Sequence, residues 1–237
     1  RAERSWVYRA AKNVDSTVAF GSTHYLHTPG TVYFVNCPYP TLEEDTVEPA
    51  QVTIGPYAEK PYKTKSLFNI SGMSYGALSI PAVRALSAGA KMAEIWMNTG
   101  EGGLSPYHLE GGADIVFQIG TAKYGVRDEQ GNLSTEKLKA VAAHPTVKRF
   151  ELKMSQGAKP GKGGMLPGRK VNAEIAKIRG IPEGQDSISP NGHPEIKNPN
   201  DILDMLTTIR TTTGKPTGFK AVIGEQTWLE SLFAEIN

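Results

Sequence analysis

From Ser66 onward, short apolar runs alternate with segments whose apolar residues recur every three or four positions. The runs SLFNIS (66–71), EIWMN (94–98), DIVFQIG (114–120), RFELKM (149–154), DSIS (186–189) and TGFKAVI (217–223) read as strands. The segments SIPAVRALSAGAKMA (79–93), STEKLKAVAAH (134–144), NAEIAKIR (172–179), PNDILDMLTTIRTTT (199–213) and the stretch from Trp228 to the end read as helices. Ser79, Ser134 and the pair Asn198–Pro199 supply N-cap oxygens and a proline suited to a first helical position. Residues 1–65 hold scattered aromatics (Trp6, Tyr8, Phe20, Tyr33, Phe34, Tyr39) with no sustained period, which predicts an irregular segment packing onto the domain that starts at residue 66.

Strands separated by helices imply parallel pairing, as in a doubly wound sheet or a (β/α)8 barrel. The loops after the first, second and fourth strands are long and polar: GMSYGAL, TGEGGLSPYHLEGGA and SQGAKPGKGGMLPGRKV. Elaborate loops at strand C-terminal ends suit a TIM barrel carrying its site on that face. Residues 66–237 supply five or six strand–helix units against the ~250 residues of a whole barrel, so the barrel is expected to be incomplete in this chain. An opening Arg in place of Met, and an end inside an amphipathic pattern, read as a piece of a longer protein.

Composition narrows the chemistry. Lys+Arg 26 against Asp+Glu 24 gives a net charge of +2, no field for a nucleic-acid partner. A single cysteine, Cys37, rules out an internal disulfide framework or a thiolate-ligated iron–sulfur cluster within these residues, and points to a reducing, cytoplasmic setting. No apolar run reaches the roughly 20 residues of a membrane span. The five histidines show no trusted metal spacing, and neither G-x-G-x-x-G after the first strand, a P-loop nor G-x-S-x-G occurs.

Three loops and one strand carry candidate chemistry. SGMSYGALS (71–79) frames Met73, Ser74 and Tyr75 with Gly72 and Gly76; it reads as a platform for a flat cofactor, or as a loop that merely turns. NTGEGG (98–103) sets Glu101 in a glycine frame, as an acid–base group or as a solvated loop residue. KMSQGAKPGKGGMLPGRK (153–170) gathers Lys153, Lys159, Lys162, Arg169 and Lys170 with Gln156 and no acid, which suits a carboxylate or phosphate ligand better than bare solvent. Lys220 sits in an apolar strand, where an ammonium needs an anionic or cofactor partner unless the strand is an edge from which it snorkels.

Taken together, SGMSYGALS, NTGEGG, KMSQGAKPGKGG-x-LPG-x-KV, ISP-x-x-HPEI (188–196) and GFKAVIG resemble the FMN-binding synthase domain of glutamate synthase, in particular its shorter relatives. The likeness runs from about Ser66 to the C-terminus, and RSWVYRAAKNVDSTVAFGST extends it to the start. The resemblance implies a (β/α)8 barrel with FMN at its C-terminal face, and reductive amination of 2-oxoglutarate to glutamate with ammonia supplied elsewhere. It implies Met73, Ser74 and Tyr75 along the isoalloxazine, Thr99 and Glu101 near flavin and substrate, and Lys220 near the N1/O2 edge. Lys153, Gln156 and Lys159 would hold the flavin edge and the 2-oxo acid carboxylates, with Glu101 and Lys153 as the catalytic pair. A dianionic substrate wants fixed cations, and a reduced flavin carries negative charge that a lysine stabilises.

The chain departs from the family pattern at Lys162 and Met165, where acid and amide residues are common, which opens the alternative of another 2-oxo acid or imine. The glutaminase domain, the cluster cysteines and the Gly-rich FMN-phosphate loop are not among these residues. Separate glutaminase and electron-donor subunits, ferredoxin-like or NADPH-linked, are therefore expected partners. A truncated, non-catalytic scaffold subunit is the non-enzymatic alternative.

Overall fold

A computed structural model of the chain describes residues 2–14, 25–31, 35, 37–48, 50–157 and 163–236. Two units result, Arg1–Glu48 and Pro49–Asn237. The first contains helix α1 (Ala2–Ala11) and a 3-10 turn at Glu43–Asp45. The sequence gives α1 no apolar period because it has no buried face: Trp6, Val7 and Tyr8 are all more than half exposed. Its helicity comes from alanine propensity and from an Arg4–Tyr8 pair one turn apart, hydrogen-bonded at 3.0 Å.

In the second unit an antiparallel ladder joins β1 (Val52–Ile54) to β2 (Tyr62–Thr64), a pairing too short to leave a sequence period. Then come α2 (Ile80–Met92), β3 (Trp96–Asn98), α3 (Pro106–Glu110), β4 (Asp114–Ile119), α4 (Thr135–Ala142) and β5 (Val147–Lys153). They are followed by β6 (Met165–Leu166), α5 (Ala173–Arg179), β7 (Ser187–Ile188), α6 (Pro199–Thr213), β8 (Thr217–Lys220) and α7 (Thr227–Ile236). The main sheet has the order β3-β4-β5-β8, and every pair in it is parallel.

The two faces of this sheet differ. Met97, Ile115, Phe117, Ile119, Phe150 and Leu152 point to one side and share the apolar core with Val83 and Ala90 of α2, Leu138 of α4, Ile175 of α5 and Ile209 of α6. Phe117 and Phe150 meet edge to face with centroids 5.8 Å apart, both fully buried, each contributing ~1.5–3 kcal/mol of burial. Asn98, Gln118, Arg149, Glu151 and Lys153 alternate with them on the other face, which they share with Trp96 and Val116.

Two expected strands differ. SLFNIS pairs only through a parallel bridge from Ile70 to Met97. Ser66 Oγ accepts from Phe68 N–H (3.1 Å) and Asn69 Nδ2 donates to the Ser66 carbonyl (3.1 Å), so local side-chain bonds take the place of a ladder. DSIS pairs antiparallel with Met165–Leu166, outside the main sheet. Of the caps, Ser134 accepts from Lys137 N–H (3.3 Å), and Asn198 forms a capping box with Asp201. Ser79 makes no side-chain cap bond, Pro81 having removed one of the donors it would serve.

Candidate active site

The end of β5 and the loops leaving β3 and β5 bring three side chains together. Lys153, the last residue of β5, places Nζ 3.2 Å from Glu101 Oε2, and the two side chains are only 19% and 21% exposed. Gln156 Nε2 donates to the same Glu101 oxygen at 2.6 Å, while Lys153 Nζ donates to Gln156 Oε1 at 2.9 Å. Each group thus touches the other two. Gln156 is buried, and its Nε2 also lies 3.4 Å from Thr121 Oγ1 on the β4 loop. The triangle borders a cavity of about 300 Å3 completed by Ser155, Gly157, Lys220, Ala221 and Val222.

Lys220 closes the edge strand β8 and is exposed, not enclosed by the apolar strand that its sequence setting suggests. Alternation along β8 turns Lys220 to the same side as its ladder partner Lys153. It also borders a second cavity of about 300 Å3 lined by Leu67, Asn69, Ser71, Trp96, Asn98 and Glu151. Lys159 and Lys162 lie outside the described residues.

The loop after Ile70 sits against the Glu101 loop, where a Cβ on Gly72 would come within 3.1 Å of Gly100 Cα. Gly100 has φ +64°, and a Cβ there would come within 2.8 Å of Ser74 N; a Cβ on Gly102 would collide with Ser74 Oγ. Ser74 Oγ accepts from Arg179 Nη2 at 3.4 Å. Tyr75 turns its ring inward: it is 6% exposed, and its hydroxyl donates to Glu174 Oε2 at 2.5 Å beside Tyr107, which binds Oε1 at 2.9 Å. Burial, with the Glu174 carboxylate, pushes the Tyr75 phenol well above its usual range. Thr99 is fully buried, and its hydroxyl accepts from Gln118 N–H (3.1 Å) and donates to the Gly100 carbonyl (2.9 Å). Met73 contributes its carbonyl, which accepts from His108 Nε2 at 2.8 Å. Because Ser105 N–H donates to His108 Nδ1 at 3.2 Å, the ring is held neutral, and burial keeps its pKa below the usual histidine value.

Several residues that periodicity does not reveal complete the site. Glu151 Oε1 accepts from Asn98 Nδ2 (2.8 Å) and Gln118 Nε2 (2.7 Å), tying β3, β4 and β5 on the polar face. Asn98 Oδ1 then accepts from Gly100 N–H at 2.8 Å, which fixes the turn before Glu101. Arg179 donates to Ser187 Oγ (2.8 Å) and to the Tyr75 carbonyl (3.3 Å), joining two loops. The only trace in the sequence is that Asn98, Gln118 and Glu151 are polar residues within largely apolar runs. Among the described residues no group of three His, Cys, Asp or Glu side chains could hold a metal ion, and no helix is long and apolar enough to cross a membrane.

Residues 23–231 match the sequence profile of the conserved region in glutamate synthase. A glutamate synthase large subunit-like protein of Bacillus subtilis, YerD, is 46% identical over 179 residues, which is 75% of this chain and 34% of that protein. An archaeal glutamate synthase (NADPH) of Methanocaldococcus jannaschii is 41% identical over 145 residues, 61% of this chain and 26% of its own length. An archaeal-type enzyme of the same name from Thermotoga maritima is 36% identical over 152 residues, 63% and 27%. The chain spans about a third or less of these relatives. With the profile covering most of its length and the Glu101–Lys153–Gln156 triangle standing within the matched region, the chain belongs to the glutamate synthase family.

Proposed function

We propose that the protein containing this chain is an FMN-dependent glutamate synthase-type oxidoreductase, which forms glutamate by reductive amination of 2-oxoglutarate. The observation that carries this reading is the closed triangle of Glu101, Lys153 and Gln156 beside a 300 Å3 cavity. Glu101 Oε2 is committed to Lys153 and Gln156, which leaves Oε1 to take the proton that ammonia sheds as it adds to the keto carbon. Lys153 Nζ, already oriented by Gln156, would donate to the oxygen on which negative charge develops. Glu101 already offsets the charge of Lys153, so the substrate carboxylates need further cations. Lys220, which has no ion-pair partner among the described residues, and Lys159, three positions after Gln156 in the sequence, are the candidates.

The residues present fit FMN. Two adjoining cavities share Lys220, and their walls carry the hydroxyl, amide and carboxylate groups of Ser71, Asn69, Asn98 and Glu151, a donor and acceptor set suited to a flat polar ring. Bound FMN would supply the hydride that reduces the carbon–nitrogen double bond. Ser71, Asn69 and Lys220 would hold the ring, and the loop of Met73, Ser74 and Tyr75 would back it by its main chain. The sheet is compatible with closure into a (β/α)8 barrel: all its pairs are parallel, the face opposite its helix-packed core carries Asn98, Gln118, Glu151 and Lys153, and a parallel sheet is normally covered on both faces. Ammonia from a glutaminase and electrons from a ferredoxin-like or NADPH-linked donor would complete the reaction, the latter in keeping with the NADPH in the archaeal relatives' names.

A second reading, reduction of an imine from another 2-oxo acid, rests on Met165, whose exposed apolar side chain follows Gly164 at the Glu101 carboxylate. Full-length protein tests both readings. Extraction should release FMN, and 2-oxoglutarate with ammonium and a reduced viologen or NADPH should yield glutamate. A protein that neither holds nor takes up FMN sinks the proposal, and turnover with a different 2-oxo acid alone selects the second reading.

A further inference from the structure

The segment 187–196 lies over the loops that carry the triangle and takes no part in it. Thr121 Oγ1 donates to the Pro190 carbonyl at 2.6 Å, Tyr124 Oη to the Ile188 carbonyl at 3.1 Å, and Gln156 N–H to the Asn191 carbonyl at 2.9 Å. Lys123, its side chain 4% exposed, forms a 2.8 Å ion pair with Glu195. Within this strap His193 is 5% exposed, and its Nε2 lies 2.9 Å from the main-chain oxygen of Lys153. A carbonyl oxygen only accepts, so Nε2 carries the proton. Nδ1 is then a buried lone pair with no partner, which costs far less than a buried unpaired N–H on an imidazolium next to the Lys123 ammonium.

We propose that His193 is a positioning residue of the active site: as a neutral Nε2–H donor it fixes the Lys153 carbonyl, and so aims Lys153 Nζ at Glu101 and Gln156. The geometry gives the reason. Lys153 ends β5, where Met154 N–H still bonds to the Lys220 carbonyl but the Lys153 carbonyl has left the ladder. The strap fills that gap through His193 and, by accepting from Gln156 N–H, pins the other residue of the same short turn. Both ends of the Lys153–Gln156 contact therefore hang from one segment. A shift of about 1 Å in such a pair can cost ~100-fold in rate, so this bond bears on turnover more than on folding. The inference rests on the reading of Glu101, Lys153 and Gln156 as the groups that meet substrate.

The test uses full-length protein with His193→Gln, which keeps an N–H donor near the Nε2 position, and His193→Phe, which removes it. With 13C-carbonyl lysine and 15N-methionine labelling, the chain gives two Lys–Met signals, from Lys91–Met92 and Lys153–Met154. The Lys153–Met154 signal should move in His193→Phe and stay near its wild-type place in His193→Gln. Glutamate formation from 2-oxoglutarate and ammonium should fall ~100-fold in His193→Phe with the protein still folded at the assay temperature, and recover to within ~10-fold in His193→Gln. Lys123→Met, which loosens the strap elsewhere, should lower the thermal midpoint more than the turnover. An unmoved Lys153 signal in His193→Phe, or equal losses in the Gln and Phe variants, overturns the inference. Should His193→Phe not fold, the 15N-histidine spectrum of wild type decides: an Nδ1–H tautomer or an imidazolium at neutral pH overturns it. If wild type makes no glutamate, the functional reading fails, and the two spectra still judge His193.

Discussion

Gln156 Nε2 reaches Glu101 Oε2 at 2.6 Å, although 55 residues separate the two in the chain. The amide works in both directions, since its oxygen receives Lys153 Nζ while its nitrogen serves the carboxylate. Gln156 thereby orients both charged groups without altering the net charge of the site.

Replacing Glu101 by Gln keeps the volume and removes the base. In the full-length protein kcat/KM for 2-oxoglutarate should fall by ~100-fold or more with FMN still bound. Gly120→Ala should act through the same residue, because a Cβ at 120 would lie 2.5 Å from Glu101 Cβ and 2.8 Å from its Oε2. Steady-state kinetics beside flavin content checks both, and wild-type kinetics in either variant would remove Glu101 from the mechanism.

The two lysines proposed to meet ligand should separate. Lys159→Met should lower kcat/KM for the 2-oxo acid ~10- to 100-fold with flavin retained, the loss of a charge-assisted bond of ~1.5–3 kcal/mol. Lys220→Met should weaken flavin retention or shift its potential, because this side chain stands where the two cavities meet. Substrate titration and flavin dissociation are the measurements; the same effect in both variants contradicts the assignment.

Lys215 lies at the opposite, N-terminal end of the sheet and is 8% exposed. Its ammonium donates to the carbonyls of Ala142, His144 and Val147, closing the turn from α4 into β5. Burial lowers its pKa, yet three carbonyl acceptors hold it in place. Lys215→Met strands those carbonyls and should cost ~2–5 kcal/mol in urea unfolding, while turnover at 25 °C stays near wild type. A midpoint unchanged from wild type would show that the contacts carry no net stability.

His108 and His193 both have pKa values below the usual 6.5, chiefly through burial. The unfolded chain protonates these rings near pH 6.5, whereas the folded protein does so only at lower pH. Between the two values the unfolded state binds more protons, so stability is full above about pH 6.5 and falls as the pH drops through that window. Each ring contributes at most ~1.4 kcal/mol per pH unit. Urea midpoints at pH 7.5 and 5.5 should show the fall, and His108→Gln should lessen it; an equal slope in that variant would assign the effect to other groups.

Sequence by itself determined the succession of parallel strands and helices, since a buried strand and a one-faced helix each leave a local period, as β4, β5 and α6 did. It also marked Glu101 within a glycine frame, and Lys153 and Gln156 within a basic stretch free of acids, while their joint role was implied by the family resemblance. Tertiary structure decided their pairing, for a contact across 55 residues has no local trace. It also decided the inward turn of Tyr75 toward Glu174, and the register that sets Lys220 beside Lys153. The pairing of Ser187–Ile188 with Met165–Leu166 was settled likewise: two-residue ladders are too short for periodicity, and their partners are chosen only once the site loops have packed.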